Sequence, residues 1–122
     1  MSNFLIAAAL AAAACVLVHV GLGGRRILAP VLAQDDMPKR EKARFHYLWH
    51  LTTVLLLGIA AAYAYALATG LRELAIVGTG MALAAMGWTL MFILPRGYGL
   101  RRFPQWALFG TVAQLGLAGL WW

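Results

Sequence analysis

The sequence predicts an all-α integral membrane protein, a four-transmembrane-helix antiparallel bundle, and three observations carry that expectation. The chain of 122 residues is 63% hydrophobic and only 11% charged, too apolar to coat one small water-soluble domain with polar side chains. It contains four apolar runs near the roughly 20 residues that a helix needs to cross a hydrocarbon core about 30 Å thick. Nearly all of its Lys and Arg fall in two short connections between those runs. The expected spans are residues 3–22, 46–68, 73–94 and 103–122, with basic loops over 23–45 and 95–102. Little chain is left over, so residues 1–122 read as a single membrane domain.

The net charge of +6 raises nucleic acid as a partner, but no aromatic and basic groove for bases accompanies it. The membrane accounts for it better. Arg25, Arg26, Lys39, Arg40, Lys42 and Arg44 lie in the first loop, and Arg96, Arg101 and Arg102 in the last, leaving only Arg72 elsewhere. Short loops rich in Lys and Arg stay cytoplasmic, which predicts a bacterial inner-membrane protein with both termini on the non-cytoplasmic side. Arg25, Arg26, Arg101 and Arg102 are then placed to meet anionic headgroups of the bilayer.

Taken in order, the first run is rich in alanine, with Ala12-Ala13-Ala14-Cys15 faintly like a cleavage box. A signal peptide carries its positive charge before the apolar stretch, whereas here it follows, so the run reads as a retained helix. Gly21, Gly23 and Gly24 are expected to end it, with Arg25 and Arg26 suiting its C-terminal dipole. Ile27 to Ala33 is too short to span but apolar enough to form a short interfacial helix or a re-entrant turn broken at Pro30. Gln34 to Arg44 reads as a solvated linker and helix start, with Asp35 or Asp36 as cap and Pro38 in the first turn. A metal or phosphate role for the acids is the minor reading there.

The second run is the least interrupted and ends at Thr69-Gly70, which predicts a helical hairpin with the third. In the third run, Gly80, Ala84 and Gly87 form a small-residue stripe that admits a second helix closely. Pro95 is expected to stop that helix and Pro104 to open the fourth. Trp49, Trp106, Trp121 and Trp122 are expected to anchor the interfaces, as membrane tryptophans do.

The residues that carry chemistry are few. His46 and His50 are four apart and share one helix face, a spacing at which two imidazoles can bind one metal ion. Cys15 and His19 have the same spacing on helix one. Because the two helices run in opposite directions, all three histidines fall in the cytoplasmic third, and side-by-side packing brings His19, His46 and His50 together above Cys15. Imidazole and thiolate suit Zn, Cu or Fe, and haem b between His19 and His50, walled by Trp49 and Phe92, is the other geometry. The competing reading makes His46 an interfacial residue, His19 and His50 interhelical hydrogen-bond partners, and Cys15 a small hydrophobe. Thr52, Thr53, Thr89 and Gln114 are expected to bond between helices. One cysteine excludes an internal disulfide.

Three function classes follow. The first is a membrane protein with an intramembrane histidine site for a transition metal or haem, the second an accessory or oligomerising subunit packed through the Gly80, Ala84, Gly87 stripe against a larger membrane complex or, as a homo-oligomer, against copies of itself. The third is a small transporter, since the chain is similar in size to the four-helix multidrug exporters, but a proton-coupling carboxylate is missing from helix one and Glu73 lies at the outer boundary. The membrane glutathione and eicosanoid enzymes are similar in length and helix number, yet their Asn and Glu after the helix-two Arg are replaced here by Phe45-His46-Tyr47-Leu48-Trp49-His50.

Overall fold

Alanine is the strongest helix former, and the alanine-rich N-terminal stretch opens a helix that does not stop at its glycines. The computed structural model describes residues 3–121, and among these every regular element is helical. Helix α1 (Asn3–Leu32) is continuous over 30 residues. It is α-wound over Asn3–Leu17, π-wound over Val18–Leu28, and closes with an α turn at Ala29–Leu32. The expected break at Gly21, Gly23 and Gly24 and the separate interfacial segment are therefore corrected. A physical reason lies at Pro30, whose ring in an α-helix clashes with the carbonyl four residues back. Hydrogen bonds to i+5 widen the helix ahead of the proline, and the glycines supply the backbone freedom to do it.

Helix α2 (Lys39–Thr69) starts seven residues earlier than its apolar run. Pro38 itself stands at the cap, its carbonyl accepting from the Glu41 and Lys42 amides at 2.9 and 3.1 Å. Asp35 and Asp36 do not cap it. At the other end Gly70 takes φ +76°, the left-handed conformation that closes a helix, and its amide donates to the Ala66 carbonyl at 2.9 Å. Helix α3 (Arg72–Ile93) follows at once. It ends before Pro95 as expected, and a 3₁₀ turn at Leu100–Arg102 leads to helix α4 (Gln105–Trp121). Trp122 lies outside the described residues.

The four helices form a closed ring in which each packs against its two neighbours, α1 lying between α2 and α4. Its seams use small residues, so backbones approach closely. Leu5, Ala8, Ala12 and Cys15 of α1 are buried, as are Ala75, Gly78, Thr79 and Ala82 of α3 and Gly110, Ala113 and Gly116 of α4. A Cβ on Gly119 would strike the Leu5 backbone amide at 2.9 Å, so the end of α4 rests on the start of α1.

One polar contact ties three helices together in this core. Thr79 Oγ1 donates to its own Ala75 carbonyl at 2.7 Å, which leaves the Tyr63 hydroxyl to donate to Thr79 Oγ1 at 2.8 Å. Both side chains are buried, and Gly116 of α4 presents bare backbone to the pair. The hydroxyls of Thr52, Thr53 and Thr89 bond instead to carbonyls four residues back in their own helices, and Gln114 is exposed. The interhelical bond expected of those residues is made by Thr79.

Three helices, Asn3–Leu32, Lys39–Thr69 and Arg72–Ile93, are long and apolar enough to cross a membrane. Connection order sets nine of the ten cations at one end of the bundle, where α1 ends, α2 begins and the α3–α4 loop turns. Arg72 stands at the opposite end, its guanidinium donating to the Leu120 carbonyl of α4 at 2.6 Å.

Candidate functional site at the basic end

His19 sits on the stripe that Leu5, Ala8, Ala12 and Cys15 define along α1, at intervals of three and four residues, and so faces α2. There it meets Trp49. The imidazole and indole stack with ring centroids 4.2 Å apart and planes within 16°. His19 Nε2 is 3.3 Å from the Trp49 carbonyl oxygen; a carbonyl only accepts, so that nitrogen carries the proton and is engaged as a donor. Gly23, a turn further along the π-wound segment, makes room for the indole: a Cβ there would lie 2.9 Å from Trp49 Cη2. Phe45 packs at the tilted edge of the same indole, centroid to centroid 6.2 Å.

His46 and His50 do not join this contact. On a helix of 3.6 residues per turn they lie roughly a third of a turn away from the buried stripe of Leu56, Ile59 and Tyr63, and both are exposed. They meet each other instead, Nε2 to Nε2 at 2.9 Å with ring centroids 4.6 Å apart. One imidazole donates and the other accepts, so the two nitrogens that an ion would use are taken up by this hydrogen bond, which an ion coordinated by both would replace. The separation suits such an ion. Two ligands about 2.0–2.1 Å from a metal are about 2.9 Å apart at a right angle and about 3.3 Å apart at the tetrahedral angle. Adjacent positions around Cu(II) or Ni(II), which favour tetragonal nitrogen geometry, fit as the pair stands; zinc requires it to open by a few tenths of an ångström.

The expected convergence of three histidines thus resolves into two separate contacts, His19 with Trp49 and His46 with His50. Among the described residues no three His, Cys, Asp or Glu side chains are grouped to hold a metal. Cys15 is deeper in the bundle, buried beside a cavity of about 10 Å³. Ala12, Leu56, Ile59, Phe109 and Val112 complete the lining, so no second ligand accompanies the thiol.

The tryptophans divide in the same way. Trp49 is half-buried and serves the α1–α2 seam, Trp106 donates its indole N–H to the Leu100 carbonyl at 3.0 Å, and Trp121 projects outward. Gly80 and Ala84 are exposed and Gly87 half-buried, so the stripe faces away from the bundle. The buried glycines are Gly78, Gly110 and Gly116.

Around the histidines the basic end is densely cationic. Arg25, Arg26, Arg101 and Arg102 are exposed, and Arg44 bonds Glu41 at 2.8 Å in the one ion pair among the described residues. Arg96 lies 4.2 Å over the Phe92 ring, and Phe92, Tyr98 and Phe103 form an aromatic chain beneath the α3–α4 loop.

Compared with known proteins, the chain matches no family model, no curated protein and no solved structure.

Proposed function

We propose that this chain is a four-span integral membrane protein whose His46–His50 pair binds a transition-metal ion at the cytoplasmic edge of the bilayer. The observation that carries the reading is the 2.9 Å separation of the two Nε2 atoms, at the spacing of adjacent ligands and on a face of α2 turned away from the bundle. The membrane setting is supported by the three long apolar helices and by the cations gathered at one end, which favour a bacterial inner membrane with that end cytoplasmic and both termini opposite. Helix α4, with 17 described residues, extends about 25 Å and serves as the fourth span with help from Phe103 and Pro104.

In that setting His46 lies at the mouth of the apolar span and His50 one turn inside it. Ionisable side chains at such depth are costly and mark functional sites by default. A metal is favoured over haem b because two histidines on one helix cannot grip opposite faces of a porphyrin, and His19 is engaged with Trp49. The anionic headgroups of the cytoplasmic leaflet would rest against Arg25, Arg26, Arg101 and Arg102.

The test is metal analysis of detergent-purified protein after equilibration with Ni²⁺ or Cu²⁺ and removal of free ion. Retained metal in the parent chain and in His19→Ala, with affinity lowered more than about tenfold in His46→Ala and His50→Ala, is the expected result. Equal retention in all four proteins, or none in any, would sink the reading.

The accessory-subunit reading draws on a different observation, the exposure of Gly80 and Ala84 on the outer face of α3. It requires a stable larger complex that Gly80→Leu disrupts and that forms without metal.

A further inference from the structure

We infer that the metal site is completed by a second copy of this chain, whose own His46 and His50 supply the remaining imidazoles across a two-fold α2–α2 contact; the inference rests on the metal reading above.

Ligand count is the first ground. The ions that suit imidazole take four ligands or more, and each chain presents two, with no third His, Cys, Asp or Glu beside them among the described residues. The pair also points outward rather than into its own bundle, so whatever completes the coordination comes from outside the chain.

The surface around the pair is built for a helix. His46, His50, Val54, Leu57, Ala61 and Ala64 follow one another at intervals of four, four, three, four and three, and all six are exposed. That alternation of threes and fours is the seam spacing of two paired helices. Its side chains shrink from Val54 and Leu57 to Ala61 and Ala64 with distance from the histidines, which lets two backbones close together along their outer halves without an apolar driving force.

Symmetry then brings the two pairs to one point. Copies inserted in the same orientation can be related by a two-fold axis along the membrane normal, and an isologous contact places each residue opposite its own counterpart region. Two α2 helices so paired run parallel, with His46 and His50 at the same depth in both. Four imidazole nitrogens, adjacent ones 2.9 Å apart within each chain, complete a tetragonal set around one ion on the axis. Lys42 and Lys39 lie about one and two turns before His46 on this side of α2 and repel their counterparts, so metal-free copies gain little by pairing. The ion is what holds them.

Light scattering on size-exclusion-purified protein in detergent, with and without Ni²⁺ and coupled to metal analysis, tests this directly. Expected are one ion per two chains, a protein mass that doubles with Ni²⁺ and reverts with chelator, and an unchanged single-chain mass for His50→Ala at every metal concentration. Cu²⁺ substitution should give an electron paramagnetic resonance signal split by four imidazole nitrogens, in two symmetry-related pairs. One ion per chain at constant mass, with two nitrogens in the spectrum, overturns the shared site and leaves the metal reading standing. Failure to bind any ion removes the metal reading itself. A dimer that persists in His50→Ala without metal places the contact elsewhere and overturns the inference.

Discussion

The indole of Trp49 lies flat on the imidazole of His19, ring centroids 4.2 Å apart, and the carbonyl of the same tryptophan is 3.3 Å from that imidazole's Nε2. Two contacts from one residue fasten the middle of α1, where its π-wound segment begins, to the first half of α2. Stacked aromatic pairs contribute about 0.5–1.5 kcal/mol beyond the area they bury. Trp49→Ala is therefore expected to lower the unfolding midpoint in detergent by more than Trp49→Phe, which keeps a ring in place. Equal losses from the two would show that stacking is not the source.

Gly23 gives a sharper version of the same test. A methyl group there meets Trp49 Cη2 at 2.9 Å, so Gly23→Ala should destabilise the protein by about 1 kcal/mol or more through overpacking. In a Trp49→Ala background the obstacle is gone and the penalty should vanish, a coupling that a double-mutant cycle reads directly. An undiminished penalty would locate the cost in the π-wound backbone.

At the core, Tyr63→Phe removes the donor to Thr79 but leaves Thr79 bonded to Ala75. The loss should be small, near the ~0.6 kcal/mol typical of interhelical hydrogen bonds in membrane bundles. Gly116→Ala is different in kind, because its methyl group falls on the Tyr63 hydroxyl and on Thr79 Oγ1, and about 1–3 kcal/mol is expected. Thermal unfolding of both single variants and the double variant measures the difference, and Tyr63→Phe should partly rescue Gly116→Ala.

Cys15 should resist a hydrophilic maleimide in the native protein and react fully in dodecyl sulfate, since it is 7% exposed and its neighbouring cavity has an apolar lining. Labelling at equal rates in both conditions would mean that α1 does not pack on α2 and α4 as described.

Orientation is checked independently. Alkaline phosphatase fused after Trp122 should be active in a bacterial host, and a fusion within the α3–α4 loop after Gly99 inactive. The reverse pattern would place the nine clustered cations outside.

Much of this architecture was legible in the sequence because it depends on local chemistry. Thr69-Gly70 and Pro95 end helices for reasons visible in one or two residues, and the His46–His50 contact follows from helical spacing alone. What escaped is what depends on packing. In α1 nearly every residue is apolar, so periodicity carries little contrast, and the face that meets α2 is set by the small residues Ala8, Ala12 and Cys15. Only with that face known does His19 line up with Trp49, itself seven residues before Leu56 and fourteen before Tyr63 on the buried side of α2. The glycines misled for a related reason: Gly21, Gly23 and Gly24 are read locally as a terminus, while the proline six residues beyond Gly24 turns them into a widened helix. Gly80 and Ala84 were legible as a close-packing stripe, but nothing local told that it faces outward.

The π-wound stretch Val18–Leu28 also sets how this chain tolerates changes of length. Each of its rings closes one residue later than an α ring would, so it holds slack that the α-wound residues described for α2, α3 and α4 lack. Removing one glycine between His19 and Pro30 lets tighter winding take up the loss while His19 keeps its place on Trp49. The same deletion in the middle of α2, α3 or α4 would turn everything beyond it by about 100° and carry a buried stripe out of the core. Evolutionary insertions and deletions in chains built like this one should therefore collect at the glycines before Pro30.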